Sequence, residues 1–391
     1  MQGNIGIITI HNSPSYGASL QSFALYHYIV SNGLNCEIID LHRPYQDDYI
    51  PSKQFIPYSN NHISPLTKGK RQIKKLLKLL MFKHKVKSSE MNFFSVGARK
   101  KFEAFNSQIK LSRSFYGIDE LYASPPLYDV YISGSDQLWN HLQPYCMEPY
   151  FLTFVKDINA KKISFATSIG ITFLSDNEKA NFKKWLEQYD SISVREKQAQ
   201  QLLQSFVDKP IMQIADPTFL LDSNEWKLLS IEPAQTKPYI LLFILHYDLN
   251  LVEYGRKLAA ESGMILIVLN QIQPTVSNNE YVAVTEAGPR EFIGYIGNAD
   301  MVLTDSFHCT AFSIIMGTKN FYTYIAPSNK KGSRIIDLLS TYGLQNHLLN
   351  VSLKESMYEL ENRIITHSEI EEIMKYERTR SRTFLDNSLN K

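Results

Sequence analysis

Short runs of apolar residues, many of them β-branched, alternate with amphipathic helical patterns along nearly the whole chain of 391 residues. This pattern predicts strands near residues 4–10, 36–41, 128–133, 162–167, 190–195, 238–245, 264–269, 299–304 and 320–325. It predicts helices near residues 17–31, 91–107, 175–188, 196–206, 248–262, 289–297, 307–316, 332–341 and 367–380. Such alternation is typical of α/β proteins, in which helices cover parallel sheets.

The length of the chain exceeds what one hydrophobic core usually supports, so two domains are expected. The segment SIEPAQTKP carries two prolines and few large apolar residues, which indicates a linker. We therefore predict a Rossmann-like domain over residues 1–232 and a second one over 233–366. The charged helical pattern within 367–391 could cross back to the first domain.

Composition and charge narrow the classes of function. A formal net charge of +2 is too small to indicate nucleic acid as a partner. The cysteines Cys36, Cys146 and Cys309 have neither paired nor metal-type spacing, so reduced thiols and no metal site are expected. With no basic signal region and no apolar run of membrane-spanning length, a cytoplasmic location is expected.

Residues 68–87, KGKRQIKKLLKLLMFKHKVK, form a basic insertion without any acidic residue. Ile73, Leu76, Leu77 and Leu80 fall at helical spacing within it. Two interpretations stay open. The segment could be a helix packed on the sheet with a solvated lysine face, or it could contact the inner face of the cytoplasmic membrane as a peripheral helix.

The segment 299–321, ADMVLTDSFHCTAFSIIMGTKNF, carries the strongest signal for chemistry. Its strand ends at Asp305 and Ser306, and a helix follows with His308 in its first turn. Helix N-termini at the carboxyl end of a parallel sheet bind anions, and histidine can exchange a proton near neutral pH. The segment therefore predicts an anion site with an acid/base group beside it.

Two further strand–loop–helix junctions have the same character, YDVYISGSDQLWN at 128–140 and NIGIITIHNSPSYGASLQSFA at 4–24. Arg195 ends the predicted strand at 190–195, where its guanidinium could hold a carboxylate or phosphate. The candidate residues of the two junctions are Ser135, Asp136, Trp139, Asn12, Tyr16, Gly17 and Gln21.

These junctions, together with SISVRE at 191–196 and ADPTFLLD at 215–222, resemble the polysaccharide pyruvyl transferase family. The resemblance implies two Rossmann-like domains facing a cleft, a glycosyltransferase-B-like arrangement. It also implies transfer of pyruvate from phosphoenolpyruvate, as a cyclic ketal, onto a hexose of a surface or capsular polysaccharide precursor. Phosphoenolpyruvate would be the donor substrate, and no cofactor is expected. The acceptor would be lipid-linked if the basic insertion contacts a membrane.

The resemblance also implies roles for single residues. His308, Asp305 and Asp136 would be catalytic. Arg195, Ser306 and Arg334 would bind the donor anion, although many relatives carry an arginine at the position of Ser306. The predicted acceptor contacts are Asn12, Tyr16, Gly17, Gln21, Ser135 and Trp139. Simpler interpretations accompany several of these: Asp305 as a helix cap, Trp139 as a core residue and Asp216 as part of a structural turn.

Two other functions stay open at this point. A nucleotide-sugar-dependent glycosyltransferase of the same fold would use the helix at 307–316 to hold a diphosphate. A non-catalytic, sugar-binding member of a polysaccharide assembly complex would bind glycan without consuming phosphoenolpyruvate. The absence of an arginine at position 306 keeps the second alternative open.

Overall fold

The computed structural model describes residues 3–11, 13–55, 94–143, 145, 147–246, 248–269, 281–327 and 332–390. Asn12, Cys146 and the basic insertion at 68–87 lie outside these ranges. The interpretations given above for these residues therefore stay predictions.

The first domain is built on a parallel sheet of seven strands in the order β3-β2-β1-β4-β5-β6-β7. This order turns back at β1, as in doubly wound Rossmann-like sheets. The strands are β1 Ile5–Ile8, β2 Cys36–Leu41, β3 Leu111–Phe115, β4 Val130–Ser133, β5 Lys161–Thr167, β6 Ser191–Val194 and β7 Ile211–Gln213. Its helices are α1 Tyr16–Ser31, α2 Val96–Asn106, α3 Ile118–Ala123, α4 Asp176–Leu186 and α5 Lys197–Gln204, with a 3-10 turn at Glu148–Phe151.

The second domain has a parallel sheet of five strands in the order β10-β9-β8-β11-β12. The strands are β8 Tyr239–Phe243, β9 Ile265–Leu269, β10 Val282–Val284, β11 Met301–Thr304 and β12 Phe321–Thr323. Its helices are α7 Leu249–Ser262, α8 Pro289–Gly297, α9 Phe307–Met316, α10 Ser333–Thr341 and α11 Met357–Glu361, with a 3-10 turn at Gln345–His347. Between the sheets lie the 3-10 turn Pro217–Leu220 and helix α6 Ser223–Leu229.

The last helix, α12 His367–Asn390, returns to the first domain. The Nε of Arg382 donates to the carbonyl of Leu220 at 3.1 Å. The hydroxyl of Tyr28, on α1, donates to the carboxylate of Asp386 at 3.0 Å. The helix therefore fixes the turn that leaves the first sheet.

The two domains share one hydrophobic core. Leu20 and Phe23 of α1 belong to the same buried cluster as Phe292 of α8 and Phe312 of α9. Tyr16, at the start of α1, stacks on Phe292 with ring centroids 4.1 Å apart and planes 11° apart. This packing brings the carboxyl ends of the two sheets together, which is where α/β proteins place ligands.

Candidate functional site

Helix α9 positions His308 in its first turn, directly after β11. Ser306 caps the helix, because its Oγ accepts from the backbone N–H of Cys309 at 3.3 Å. Asp305 does not cap it. Its carboxylate accepts instead from the N–H groups of Leu245 and His246, at 2.6 and 3.2 Å. This placement corrects the capping expected for Asp305 and directs its carboxylate to the loop after β8.

The imidazole of His308 is mostly buried, with its side chain 12% exposed. Its Nε2 lies 3.8 Å from Oδ2 of Asp216 and has no hydrogen-bond partner among the described residues. Burial, together with the nearby guanidinium groups of Arg195 and Arg334, lowers the pKa of His308, while Asp216 opposes the shift. His308 is therefore neutral at pH 7 and can accept a proton.

Asp216 lies at the centre of the group, between Arg195 and His308. Its fully buried carboxylate accepts from Nη1 of Arg195 at 2.6 Å and from the N–H and hydroxyl of Thr218 at 3.0 and 2.9 Å. Burial alone would raise the pKa of Asp216, but Arg195 and His308 lower it. Asp216 thus stays ionised, and it also begins the turn that the sequence predicted.

Two arginines from different domains converge beside this pair. Arg195, 5% exposed, follows β6, and Arg334 lies in the first turn of α10. The guanidinium carbons lie 4.3 and 5.7 Å from the ring centroid of Phe307. Burial, and next the charge of Arg195, lowers the pKa of Arg334 to about 10. Both side chains are still cationic at pH 7, and their mutual repulsion favours an anion between them.

Several buried polar atoms of these side chains have no hydrogen-bond partner among the described residues: Nε and Nη2 of Arg195, Nε of Arg334, Oε2 of Glu196 and Nε2 of His308. The Nε of Arg195 lies 3.6 Å from Oε1 of Glu196, at the distance of an ion pair without a hydrogen bond. Burying a hydrogen-bond donor without a partner costs about 1–3 kcal/mol, and more for a charged group. Donors of two arginines beside a neutral histidine are therefore chemically suited to an anionic ligand.

The cavity between these side chains is small in this closed arrangement. It measures about 30 Å³ and is lined by Arg195, Asp216, Phe307 and Arg334. A water molecule needs roughly 10–15 Å³ on the same measure, so the cavity has room for one or two waters.

The loop after β4 closes the site from the first domain. Asp136 has a left-handed backbone conformation, with φ of 69°, and its Oδ1 lies 4.0 Å from Nη2 of Arg195. The side-chain carbonyl of Gln137, with its amide oriented to satisfy its neighbours, accepts from both Nη atoms of Arg334 at 2.8 and 2.9 Å. Gln137 is a further site residue, and no sequence motif pointed to it.

Gly17 lets the start of α1 reach the imidazole of His308. A Cβ atom at position 17 would lie 2.1 Å from Nδ1 of His308, which no real contact allows. The sequence predicted that Gly17 permits a close backbone approach. The structure shows that the approaching group is the histidine of the other domain.

Four of the predicted acceptor contacts lie in the interior, which corrects that expectation. Trp139 is fully buried, stacks on Phe151 and donates from Nε1 to the carbonyl of Tyr150 at 3.0 Å, so it has no free face for a sugar. The hydroxyl of Tyr16 donates to the carbonyl of Ala287 at 2.8 Å.

Gln21 and Ser135 are also fully buried, and they connect the first two junctions to each other. The carbonyl Oε1 of Gln21 accepts from the N–H of Ser135 at 3.1 Å, and its Nε2 donates to Oγ1 of Thr9 at 2.9 Å. Both residues therefore shape the loops rather than line the cleft. Cys309 is buried in α9 as well, and burial raises the pKa of its thiol to about 12.

Within the described ranges, no three His, Cys, Asp or Glu side chains are placed to hold a metal ion. Among the same residues, no helix combines the length and the apolar character that crossing a membrane requires.

The geometry defines a class, a protein of two Rossmann-like domains with two arginines and a histidine clustered between them. The comparison with protein families then identifies the member: the family model for polysaccharide pyruvyl transferase matches residues 16–326. The chain belongs to the polysaccharide pyruvyl transferase family. No sequence among the curated proteins matches it.

Solved structures are similar to this chain along nearly its whole length. UGT89C1 from Arabidopsis thaliana, solved with quercetin, aligns over 100% of this chain and 99% of its own, at 11% identity and a TM-score of 0.51. The UDP-GlcNAc 2-epimerase of Methanocaldococcus jannaschii, solved with UDP-GlcNAc and UDP, aligns over 95% and 98%, at 12% identity and a TM-score of 0.47. The first similarity, with the two parallel sheets, confirms the predicted glycosyltransferase-B-like fold.

Proposed function

We propose that this protein transfers pyruvate from phosphoenolpyruvate, as a cyclic ketal, onto a hexose of a surface or capsular polysaccharide precursor. The observation that carries the proposal is the convergence of Arg195, Arg334 and His308, with unpaired buried nitrogens, in a member of this family. Phosphoenolpyruvate carries a phosphate and a carboxylate on adjacent positions. Two guanidinium groups from opposite domains match two such anionic groups.

The proton balance of the reaction suits a histidine that is neutral before the donor binds. Two hydroxyls of one sugar add to the enol carbon, their two protons are released, and phosphate leaves. One proton goes to the methylene, which becomes the ketal methyl group, and the other leaves with the phosphate. His308 would move the first proton, because the negative charge of the donor beside it favours its protonated form.

Asp216 and Asp136 would support these steps from fixed positions. Asp216 holds Arg195 through a bond of 2.6 Å and keeps a negative charge 3.8 Å from the imidazole, which stabilises the imidazolium. Asp136, 18% exposed at its side chain, faces Arg195 from the first domain and would accept a proton from an acceptor hydroxyl. The hydroxyl of Ser306 would donate a hydrogen bond to a phosphate oxygen.

The test measures phosphate release from phosphoenolpyruvate with galactose-, glucose- and mannose-terminated acceptors, and a new ketal methyl signal by NMR. His308→Gln is expected to lower the rate by at least about 100-fold, as for a general acid–base group. His367→Gln, an exposed histidine at the start of α12, is the matched control and is expected to keep full activity.

Three results would contradict the proposal in different ways. Full activity of His308→Gln would remove the proposed role of that side chain. Binding of nucleotide sugars without phosphate release from phosphoenolpyruvate would favour a glycosyltransferase. Glycan binding with neither reaction would favour the sugar-binding alternative.

A further inference from the structure

Arg43 is a buried cation outside the donor site. It lies two residues beyond β2, at the carboxyl edge of the first sheet, and is only 6% exposed. Among the described residues its guanidinium donates to the hydroxyl of Tyr45 and pairs with no carboxylate. Its charge cannot be removed by deprotonation in a protein. A buried cation without a counter-charge is costly, so the position calls for an anion.

Two carboxylates close to Arg43 in the sequence are already engaged by other side chains. The carboxylate of Asp40 is hydrogen-bonded to Nε2 of His11 at 3.0 Å and accepts from the hydroxyl of Ser114 at 2.7 Å. The carboxylate of Asp48 is hydrogen-bonded to Nδ1 of His42 at 2.7 Å. These two aspartates are therefore committed to a histidine network and do not neutralise Arg43.

Aromatic rings hold the guanidinium of Arg43 in place. Its central carbon lies 4.8 Å from the ring centroid of Tyr45 and 5.6 Å from that of Tyr145. The side-chain carbonyl of Gln46 accepts the backbone N–H of Arg43 at 2.8 Å, which orders the loop. A planar cation fixed between two phenol rings is preorganised, so binding an oxyanion costs little side-chain entropy.

A short chain of contacts connects Arg43 with the candidate catalytic loop. The hydroxyl of Tyr145 donates to the backbone carbonyl of Gln137 at 2.5 Å, and the N–H of Gln137 donates to Oδ1 of Asp136 at 2.8 Å. Arg43 thus lies in the first domain and is connected to Asp136, the proposed acceptor base, through Tyr145 and Gln137. The donor site, in contrast, lies between Arg195 and Arg334.

We propose that Arg43, with Tyr45 and Tyr145, binds an oxyanion carried by the acceptor sugar, either the phosphate that links it to a carrier or the carboxylate of a uronic acid. This inference rests on the proposed function, because it names the class of acceptor for the same reaction. It predicts that a charged acceptor binds far better than the neutral sugar of the same stereochemistry.

The experiment is a calorimetric binding titration of the full chain, which does not depend on turnover. The probes are the 1-phosphates, the uronic acids and the neutral methyl glycosides of galactose, glucose and mannose. At least one anionic probe is expected to bind at least tenfold more tightly than its methyl glycoside, and whether it is a 1-phosphate or a uronic acid identifies the oxyanion. Arg43→Gln should remove that difference, while Arg43→Lys should keep part of it.

Arg113→Gln is the matched control. Arg113 also packs on an aromatic ring, that of Phe115 at 4.0 Å, but it is half exposed and already paired with Glu120 at 2.6 Å. This variant should bind every probe as the wild type does. A wild type that binds no anionic probe more tightly than the methyl glycosides would overturn the inference, and so would an Arg43→Gln variant that keeps the difference.

Phosphoenolpyruvate binding and phosphate release, measured on the same variants, separate this inference from the proposed function. If Arg43→Gln no longer prefers the anionic probes but binds phosphoenolpyruvate and releases phosphate from it as the wild type does, the result supports both the oxyanion site and the proposed reaction. Arg43-dependent binding of the anionic probes by a protein that never consumes phosphoenolpyruvate would support the oxyanion site while rejecting the proposed reaction. The thermal midpoint is followed in parallel. A structural role alone would lower the midpoint of Arg43→Gln without changing the ratio of the affinities for the anionic and neutral probes.

Discussion

At the scale of single residues, the site depends on how one buried carboxylate contacts both a guanidinium and an imidazole. Asp216 is bonded to Arg195 and faces His308, so Asp216→Asn removes the closest counter-charge of a buried guanidinium. Breaking a buried pair on one side costs about 3–5 kcal/mol, and we expect a loss of that size in the free energy of unfolding. Chemical denaturation measures it. Thr218→Ser, which keeps both hydrogen bonds to Asp216, is the control and should stay near the wild type.

The titration of His308 gives a second prediction at this scale. Burial lowers its pKa in the folded protein below the ordinary value of about 6.5, so the unfolded chain binds more protons below that pH. Above pH 6.5 the histidine is neutral in both states and burying it carries no penalty from protonation. As the pH falls below 6.5, protons bind the unfolded chain more readily, and the free energy of unfolding decreases. The thermal midpoint of the wild type should therefore drop more between pH 7.5 and 5.5 than that of His308→Gln. Equal drops would show that His308 has no such effect, since every other titrating group is common to both proteins.

Three residues singled out from the sequence lie together in the structure, and a fourth, Asp216, joins them through the fold. His308, Arg195 and Arg334 follow strand ends or begin helices, and the fold brings all three together. Asp216 was taken for a turn residue, because an aspartate before Pro–Thr satisfies local hydrogen bonds in any case. Its pairing with a residue 21 positions away is a product of the fold and leaves no local pattern.

At the scale of secondary structure, every central strand was predicted, but of the four edge strands only β12 was. Nine predicted strands and nine predicted helices have counterparts in the structure. The three missed strands are β3 and β7, at the two edges of the first sheet, and β10, at one edge of the second. Edge strands are short or partly polar, as in the LSRSF sequence of β3, so they lack the continuous apolar run of a central parallel strand.

Helix α12 is expected to support the site without touching the ligand. Arg378 and Arg382 donate from Nε to the carbonyls of Phe219 and Leu220, at 3.0 and 3.1 Å, in the turn that begins at Asp216. Replacing both arginines by glutamine should cost about 2–4 kcal/mol of unfolding free energy, since each charged hydrogen bond contributes about 1.5–3 kcal/mol before solvent screening. The rate of phosphate release should fall as well.

Lys375→Gln, on the exposed face of the same helix, is the control for that double variant and should change neither stability nor rate. A double variant with normal stability and normal rate would show that the turn keeps its position without the helix.

At the scale of the whole molecule, the predicted arrangement of two Rossmann-like domains is confirmed, and the structure adds how tightly they close. Tyr16 stacks on Phe292 across the domain boundary, and Lys101 of α2 forms an ion pair of 2.7 Å with Glu291 of α8. The sequence could not show this closure, because stacking and pairing between domains depend on the final geometry and have no periodic signal.

Gly17 gives this closure a direct test. Gly17→Ala places a Cβ atom where Nδ1 of His308 lies, so the domains should close less far or the imidazole should turn away. Alanine favours the helix by about 0.5–1 kcal/mol over glycine, so the fold should survive. We expect phosphate release to fall by at least about tenfold, because a misplacement of 1 Å can cost 100-fold in rate. Small-angle scattering should show a larger radius of gyration if the domains stay apart.

Gly255→Ala, within α7, is the matched control for that variant. Its new Cβ atom would meet only the flexible ends of Leu266 and Leu303, at 3.3 and 3.5 Å. It should keep the rate and the radius of the wild type. An active Gly17→Ala protein of unchanged radius would mean that catalysis does not need the contact between the start of α1 and His308, and the closed arrangement would then be a resting state. If Gly17→Ala is inactive but keeps the radius of gyration of the wild type, the loss of phosphate release comes from a changed orientation of the imidazole and not from separated domains.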